Sequence, residues 1–156
     1  MALHFEAITL ENRRQLEELK LFPEQSGYIE SVKECLFEAD ADKKWRPVGI
    51  YNDQTLIGFA MYACFQEPSA GSQVWLDRLL IDKNHQGKGY GKAAVVALID
   101  RLSKEYNCRR IYLSVYANNQ AAIHLYKEIG FYFNGEHDVN GEDVMVYELD
   151  DQATRR

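Results

Sequence analysis

Apolar positions recur along this chain with two periods, and the switches between them mark the elements. "LHFEAIT" near the start alternates as a strand does, and Thr9 can cap a helix whose apolar spacing runs through Leu16 and Leu19. Pro23 and Gly27 interrupt the chain. A second helix is predicted from Tyr28 to Ala39, with Tyr28, Val32, Cys35, Leu36 and Ala39 on one face and Glu30, Lys33, Glu34 and Glu38 off it. "PVGIY" and "TLIGFAMYACF" read as strands joined by a tight turn at "NDQ", and residues 67–73 as a loop. "VWLDRLLID" is the most apolar strand and is predicted to be central, but its alternation fails around Arg78 to Ile81, where a bulge is expected. A helix "KAAVVALIDRLSKEY", a strand "RRIYLSVY" and a helix "NNQAAIHLYKEIGF" follow. The last has an Asn pair to cap it, Ala122, Leu125 and Ile129 on one face, and Gly130 to end it. Two strands around Asn140-Gly141, a tight-hairpin signal, close the pattern.

The order is α/β in the α+β sense: a mixed sheet flanked by helices, in one domain spanning 1–150 with a loose tail at 151–156. With 156 residues and 46% hydrophobic content, the chain is long enough for one core. It contains no apolar run long enough for a membrane span, and the N-terminus lacks the order of a secretion signal, so the expected location is cytoplasmic, with no membrane partner. Three cysteines, Cys35, Cys64 and Cys108, have no metal-ligand spacing and read as reduced packing residues. His4 and His137 have no ligand constellation around them, and no metal is expected. A net charge of -6 argues against a nucleic-acid partner. It is compatible with a cationic small molecule, and equally with plain solubility.

Against that acidic background Lys83, His85, Lys88 and Lys92 cluster around "HQGKGYGK", residues 85–92. A dinucleotide fingerprint fails there, because Lys92 stands at the third glycine position and no acidic residue follows at the ribose distance. A Walker loop fails as well: Gln86 replaces the first glycine and Ala93 the Ser/Thr. What remains is Gln-x-x-Gly-x-Gly between an apolar strand and an apolar helix. Gly87, Gly89 and Gly91 let the backbone approach an anion, and the free N–H groups of a helix start point toward it. A flexible connection would also tolerate these glycines.

The stretch "VWLDRLLIDKNHQGKGYGKAAVVALI" resembles motif A of the GCN5-related N-acetyltransferases (GNAT), and "NNQAAIHLYKEIGF" resembles a later helix of that family. Two separated motifs and a matching element order from residue 3 to 149 carry the resemblance. Within the family the chain is most similar to bacterial spermine/spermidine acetyltransferases, through "YIES", "PVGIY", "IGFAMY", "VWLDR" and "NGEDVMVYEL". The implied fold is a mixed, mostly antiparallel sheet of about seven strands, flanked by about four helices, with a bulged central strand.

The implied activity is direct transfer of an acetyl group from acetyl-CoA, as cosubstrate, to a primary amine of a polyamine. In that reading the coenzyme lies along Leu79, Leu80 and Ile81, with the backbone of Leu79 and Ile81 pairing with its pantetheine amides. Its pyrophosphate lies on Gln86, Gly87, Lys88, Gly89, Tyr90, Gly91 and Lys92, and its arm beside Asn119 and Ala122. The family position of Tyr126 makes it the acid for the leaving thiolate; by residue type alone it is a buried aromatic on a helix face. Asp77 lies inside an apolar strand, where an unpaired carboxylate is costly. It must either pair with a cation such as Arg78 or Arg46, or face a cleft, and the resemblance implies amine recognition and a catalytic role for it as base beside Tyr126. Glu24, Tyr28, Glu30 and Glu34 are candidates for the distal charges of the acceptor, each also readable as a solvated helix-face residue. The family also implies a possible homodimer. Two alternatives stay open: the same chemistry on an aminoglycoside, amino acid or protein N-terminus, and a non-catalytic acyl-CoA-binding module.

Overall fold

The structure, a computed structural model, describes residues 3–25, 31–67 and 71–149. Seven strands and four helices follow one another as β1 Leu3–Ala7, α1 Leu10–Glu17, α2 Val32–Ala41, β2 Arg46–Asn52, β3 Thr55–Glu67, β4 Gly71–Ile81, α3 Tyr90–Tyr106, β5 Arg110–Val115, α4 Gln120–Ile129, β6 Tyr132–His137 and β7 Asp143–Glu148. Short 3-10 turns at Pro23–Gln25 and Lys83–His85 connect them. The strands form one sheet in the order β1-β2-β3-β4-β5-β7-β6, so the most apolar strand is the middle one. Neighbours are antiparallel except β4 and β5, which run parallel and pair only at Val74–Ile111 and Trp75–Tyr112. No helix among the described residues is long and apolar enough to cross a membrane.

Two cores form because each strand offers both faces. On one face α3 lays Ala94, Val95, Leu98, Ile99 and Leu102 against Val48, Ile50, Tyr62, Val74, Leu76, Ile111 and Met145. On the other, Leu16 of α1 and Val32, Cys35, Leu36 and Ala39 of α2 cover Phe59, Met61 and Leu80. Fully burying a side chain of this size is worth roughly 1.5–3 kcal/mol.

The caps decide where the helices begin. Thr9 accepts from the Asn12 amide while the Asn12 side chain accepts from Thr9 N, and Asn12 Nδ2 also holds Ala7 O at 3.0 Å. The helix then stops at Glu17, so Leu19 lies beyond it. The second helix starts at Val32 rather than Tyr28, because Ser31 and Glu34 form a capping box that ends the helix's N-terminal growth. Residues 71–73, expected in a loop, belong to β4 and pair with Phe65, Gln66 and Glu67. The final hairpin is wider than a two-residue turn. Asp138 Oδ1 accepts from the amides of Asn140 and Glu142, both at 2.9 Å, and Gly141 takes a positive φ of 82°.

The bulge in β4 falls on Asp77, one residue before the expected stretch. Leu76 pairs with Tyr62 and Arg78 with Met61, so Asp77 is the extra residue. The burial pattern shows the consequence. Val74 and Leu76 enter the α3 core, Leu79 and Ile81 pack against that same core, and Leu80 enters the other. Without an inserted residue, Leu76 and Leu79 would face opposite sides.

Candidate active site

Beyond the bulge β4 no longer pairs with β5, and the sheet opens there into a cleft of about 960 Å³. One wall is Asp77 to Ile81 of β4, the other Ser114 and Val115 of β5 with Tyr116. The start of α4, from Asn119 to Ala122, together with Leu125 and Tyr126, forms a further side; Gln86, Gly87, Tyr90 and Gly91 close one end. Asp138, Asn140 and Glu142 of the final hairpin reach the cleft as well.

The end made by the β4–α3 turn suits an anion. Gly87 and Gly89 hold φ of 79° and 85°, values that side-chain-bearing residues adopt at a cost. Side chains of Thr9, Ser31 and Asn119 cap α1, α2 and α4, but α3 begins at Gly89 with no side-chain cap, so its first amides keep their capacity for a ligand. A Cβ built on Gly87 would meet nothing within 4 Å, and one on Gly91 only Leu125 Cδ2 at 3.7 Å, so the space over this turn is not filled by protein. Gln86 is committed elsewhere: its Nε2 donates to Ile81 O at 2.9 Å and to Gln25 Oε1 at 3.0 Å.

Tyr126 is half-buried on α4, packs edge-on against Phe131 at 5.6 Å between ring centroids, and adjoins the α3 core. Burial pushes its phenol pKa up to about 12, so it holds its proton throughout neutral pH. Asp77 satisfies both conditions that its sequence position raised. It lines the cleft, and it forms an ion pair with Arg78, whose Nη2 also lies 3.4 Å from both carboxylate oxygens of Glu38 on α2. Arg46, the other candidate partner, sits 3.8 Å from Glu105. Among the described residues no group of three or more His, Cys, Asp or Glu is arranged to hold a metal ion.

Residues 10–131 match the model of the acetyltransferase (GNAT) family. This chain belongs to that family. A spermine/spermidine N(1)-acetyltransferase of Bacillus subtilis is 47% identical over 152 residues, covering 96% of this chain and all of that one. Among solved structures, a Vibrio cholerae spermidine N-acetyltransferase in complex with CoA and spermine superposes with a TM-score of 0.71 at 22% identity, covering 95% of this chain and 96% of that one. An aminoglycoside acetyltransferase in complex with coenzyme A superposes with a TM-score of 0.80 at 20% identity, covering 99% and 100%. Enzymes for two acceptor classes share the backbone, so the fold alone does not choose the acceptor.

The GNAT cleft brings together most of the residues singled out in the sequence. Asp77, Leu79, Leu80, Ile81, Gln86, Gly87, Tyr90, Gly91, Asn119, Ala122 and Tyr126 all line it. Lys88, Gly89 and Lys92 belong to the same turn and helix start but do not line it. Asn119 caps α4, with Oδ1 accepting from Ala122 N at 3.4 Å. Glu34 does not line the cleft; its carboxylate is engaged by the Ser31 amide, which holds its pKa below the usual carboxylate value. Tyr28 and Glu30 lie outside the described residues, as does the side chain of Glu24. Arg78, one of the two cations offered by the sequence as a partner for Asp77, is the one that pairs with it, and it lines the cleft as well. Sequence reasoning missed Gln25, Asp138 and Glu142, which no motif or period marks.

Proposed function

We propose that this GNAT enzyme transfers the acetyl group of acetyl-CoA to a primary amine of a polyamine such as spermine or spermidine. The observation that carries the acceptor class is the charge of the cleft: among the described residues lining it, Asp77, Asp138 and Glu142 face a single cation, Arg78. A flexible polycation suits such a wall, and the likeness to the Bacillus subtilis enzyme over nearly the whole chain supports the same reading.

The residues present fit the coenzyme. The amides from Gly87 to Gly91 would hold its pyrophosphate, the backbone of Leu79 and Ile81 on the cleft wall its pantetheine amides, and Asn119 and Ala122 its arm. Bound acetyl-CoA supplies a thioester carbonyl: the amine nitrogen forms the new C–N bond, the C–S bond breaks, and the nitrogen's surplus proton departs.

A polyamine nitrogen resembles a lysine amine, with a pKa of about 10.4, so at pH 7.5 on the order of 0.1% is neutral and nucleophilic. Asp77 attracts the ammonium but, being anionic, also raises its pKa. Asp138 and Glu142 resolve the conflict by taking charges remote from the reacting nitrogen. Tyr126, the protonated phenol on the cleft wall, then donates a hydrogen bond to the leaving sulfur. A thiol has a pKa of about 8.5, so complete transfer from a phenol near 12 runs uphill by roughly three to four units. Tyr126 therefore acts mainly by stabilising the thiolate, and the proton shed by the amine makes up the balance.

A panel of amines assayed for release of free CoA thiol tests the proposal. Spermine and spermidine should turn over with higher kcat/KM than a monoamine; turnover of aminoglycosides with none of polyamines would overturn the acceptor. Cytoplasmic location and assembly as a homodimer belong to the same reading. The exposed Tyr132 and Phe133 on edge strand β6 support the second, and sedimentation velocity should give twice the chain mass.

A further inference from the structure

Gln25 ends the first 3-10 turn, is 61 positions from Gln86, belongs to no glycine pattern, and has no part in the chemistry above. Its side chain nevertheless forms a reciprocal amide pair with Gln86. Gln25 Nε2 donates to Gln86 Oε1 and Gln86 Nε2 donates to Gln25 Oε1, each at 3.0 Å. Both amides are oriented by backbone groups that accept only one arrangement. The Phe22 N–H donates to Gln25 Oε1 at 3.2 Å, and Ile81 O accepts from Gln86 Nε2 at 2.9 Å. Turning either amide over would set nitrogen against N–H or oxygen against C=O. The chain of bonds thus runs in a fixed sense from Phe22 to the carbonyl at the end of β4.

Two further links tie the same segments together. Lys20 N donates to Asp82 Oδ1 at 2.9 Å, and Lys83 N donates to Lys20 O at 2.7 Å. Asp82 is buried, and Gln25, Gln86 and Ile81 all line the cleft. The segment after α1 is therefore anchored to the strand end and turn that would carry the coenzyme.

We infer that Gln25 is a positioning residue for the coenzyme: it fixes the Gln86 amide, and through it the junction of β4 with the glycine turn. This rests on the reading of that turn as the acetyl-CoA site. Losing the pair should weaken binding by about tenfold, equivalent to about 1.4 kcal/mol.

The experiment is calorimetric titration of CoA into the intact protein and its variants, alongside steady-state kinetics. Gln25→Ala should raise the Kd of CoA about tenfold and KM for acetyl-CoA in proportion, with kcat at saturation within about threefold of wild type. Gln86→Ala should give a similar loss, and the double variant no more than either single one, since both remove the same pair. Gln25→Met, nearly equal in volume but unable to hydrogen-bond, should behave as Gln25→Ala does, and serves if the alanine variant folds poorly. Wild-type CoA affinity in a folded Gln25 variant, or losses that add in the double variant, would overturn the inference. A wild-type protein that binds no CoA would instead overturn the coenzyme reading. One that binds CoA but ignores polyamines would overturn only the acceptor and leave this test standing.

Discussion

Asp77 and Arg78 are consecutive in a strand, yet both line the cleft, because the bulge removes the alternation that would send one of them away. Arg78 is shared between Asp77 and Glu38, so in the proposed reading an ammonium that takes Asp77 would leave Arg78 with Glu38 as a partner. Asp77→Asn keeps the shape and removes the charge. It should raise KM for spermine and for a monoamine by a similar factor, about tenfold, read by CoA release with both acceptors, because both present the reacting nitrogen to Asp77. A rise for spermine alone would move Asp77 to the remote charges given to Asp138 and Glu142. For Tyr126→Phe the expected loss is in kcat, on the order of a hundredfold, with CoA affinity unchanged by titration. The phenyl ring keeps its packing against Phe131, so the loss isolates the hydroxyl.

The elements were legible where their period was long and uninterrupted. The α3 helix, the β2–β3 hairpin and the α4 helix with its Asn119 cap and Gly130 stop stand where the pattern put them. Errors arose where a local signal competed with the period. The apolar spacing in the sequence predicts a start at Tyr28, which lies outside the described residues, but the Ser31-Glu34 capping box puts the start of α2 at Val32. Adjacent Leu79 and Leu80 break the alternation visibly, so the sequence predicts the bulge at Arg78 to Ile81. Its cause is the extra residue Asp77, which only strand register reveals. Gln25, Asp138 and Glu142 were invisible for another reason: they reach the cleft from loops whose path no periodicity encodes. At this scale the glycine turn makes a sharp prediction. Gly89→Val forces a β-branched side chain into φ near 85°, at a cost of at least about 1–2 kcal/mol. It should lower the thermal midpoint and weaken CoA binding together, measurable by calorimetry.

For the whole molecule, three tyrosines, Tyr62 buried and Tyr106 and Tyr126 half-buried, make stability fall at alkaline pH. Burial raises the pKa of Tyr62, Tyr106 and Tyr126 above the ordinary 10, to about 12 for Tyr126. A group whose folded pKa is raised gives its stabilisation in full below the unfolded pKa and loses it as pH rises toward the folded one. The thermal midpoint should therefore fall as pH climbs from 10 toward 12. The fall should be shallower in Tyr126→Phe, which has one fewer proton to lose. The two-pair contact between β4 and β5 has a consequence for how the molecule comes to be built. By Ile81 a growing chain has made all the pieces of the α1–α2 core, whose strands pair as successive antiparallel neighbours. The opposite core must wait for α3 and for β5 and β7. The cleft lies on the seam between the two halves, so its walls are complete only when β5, α4 and the final hairpin have joined β4.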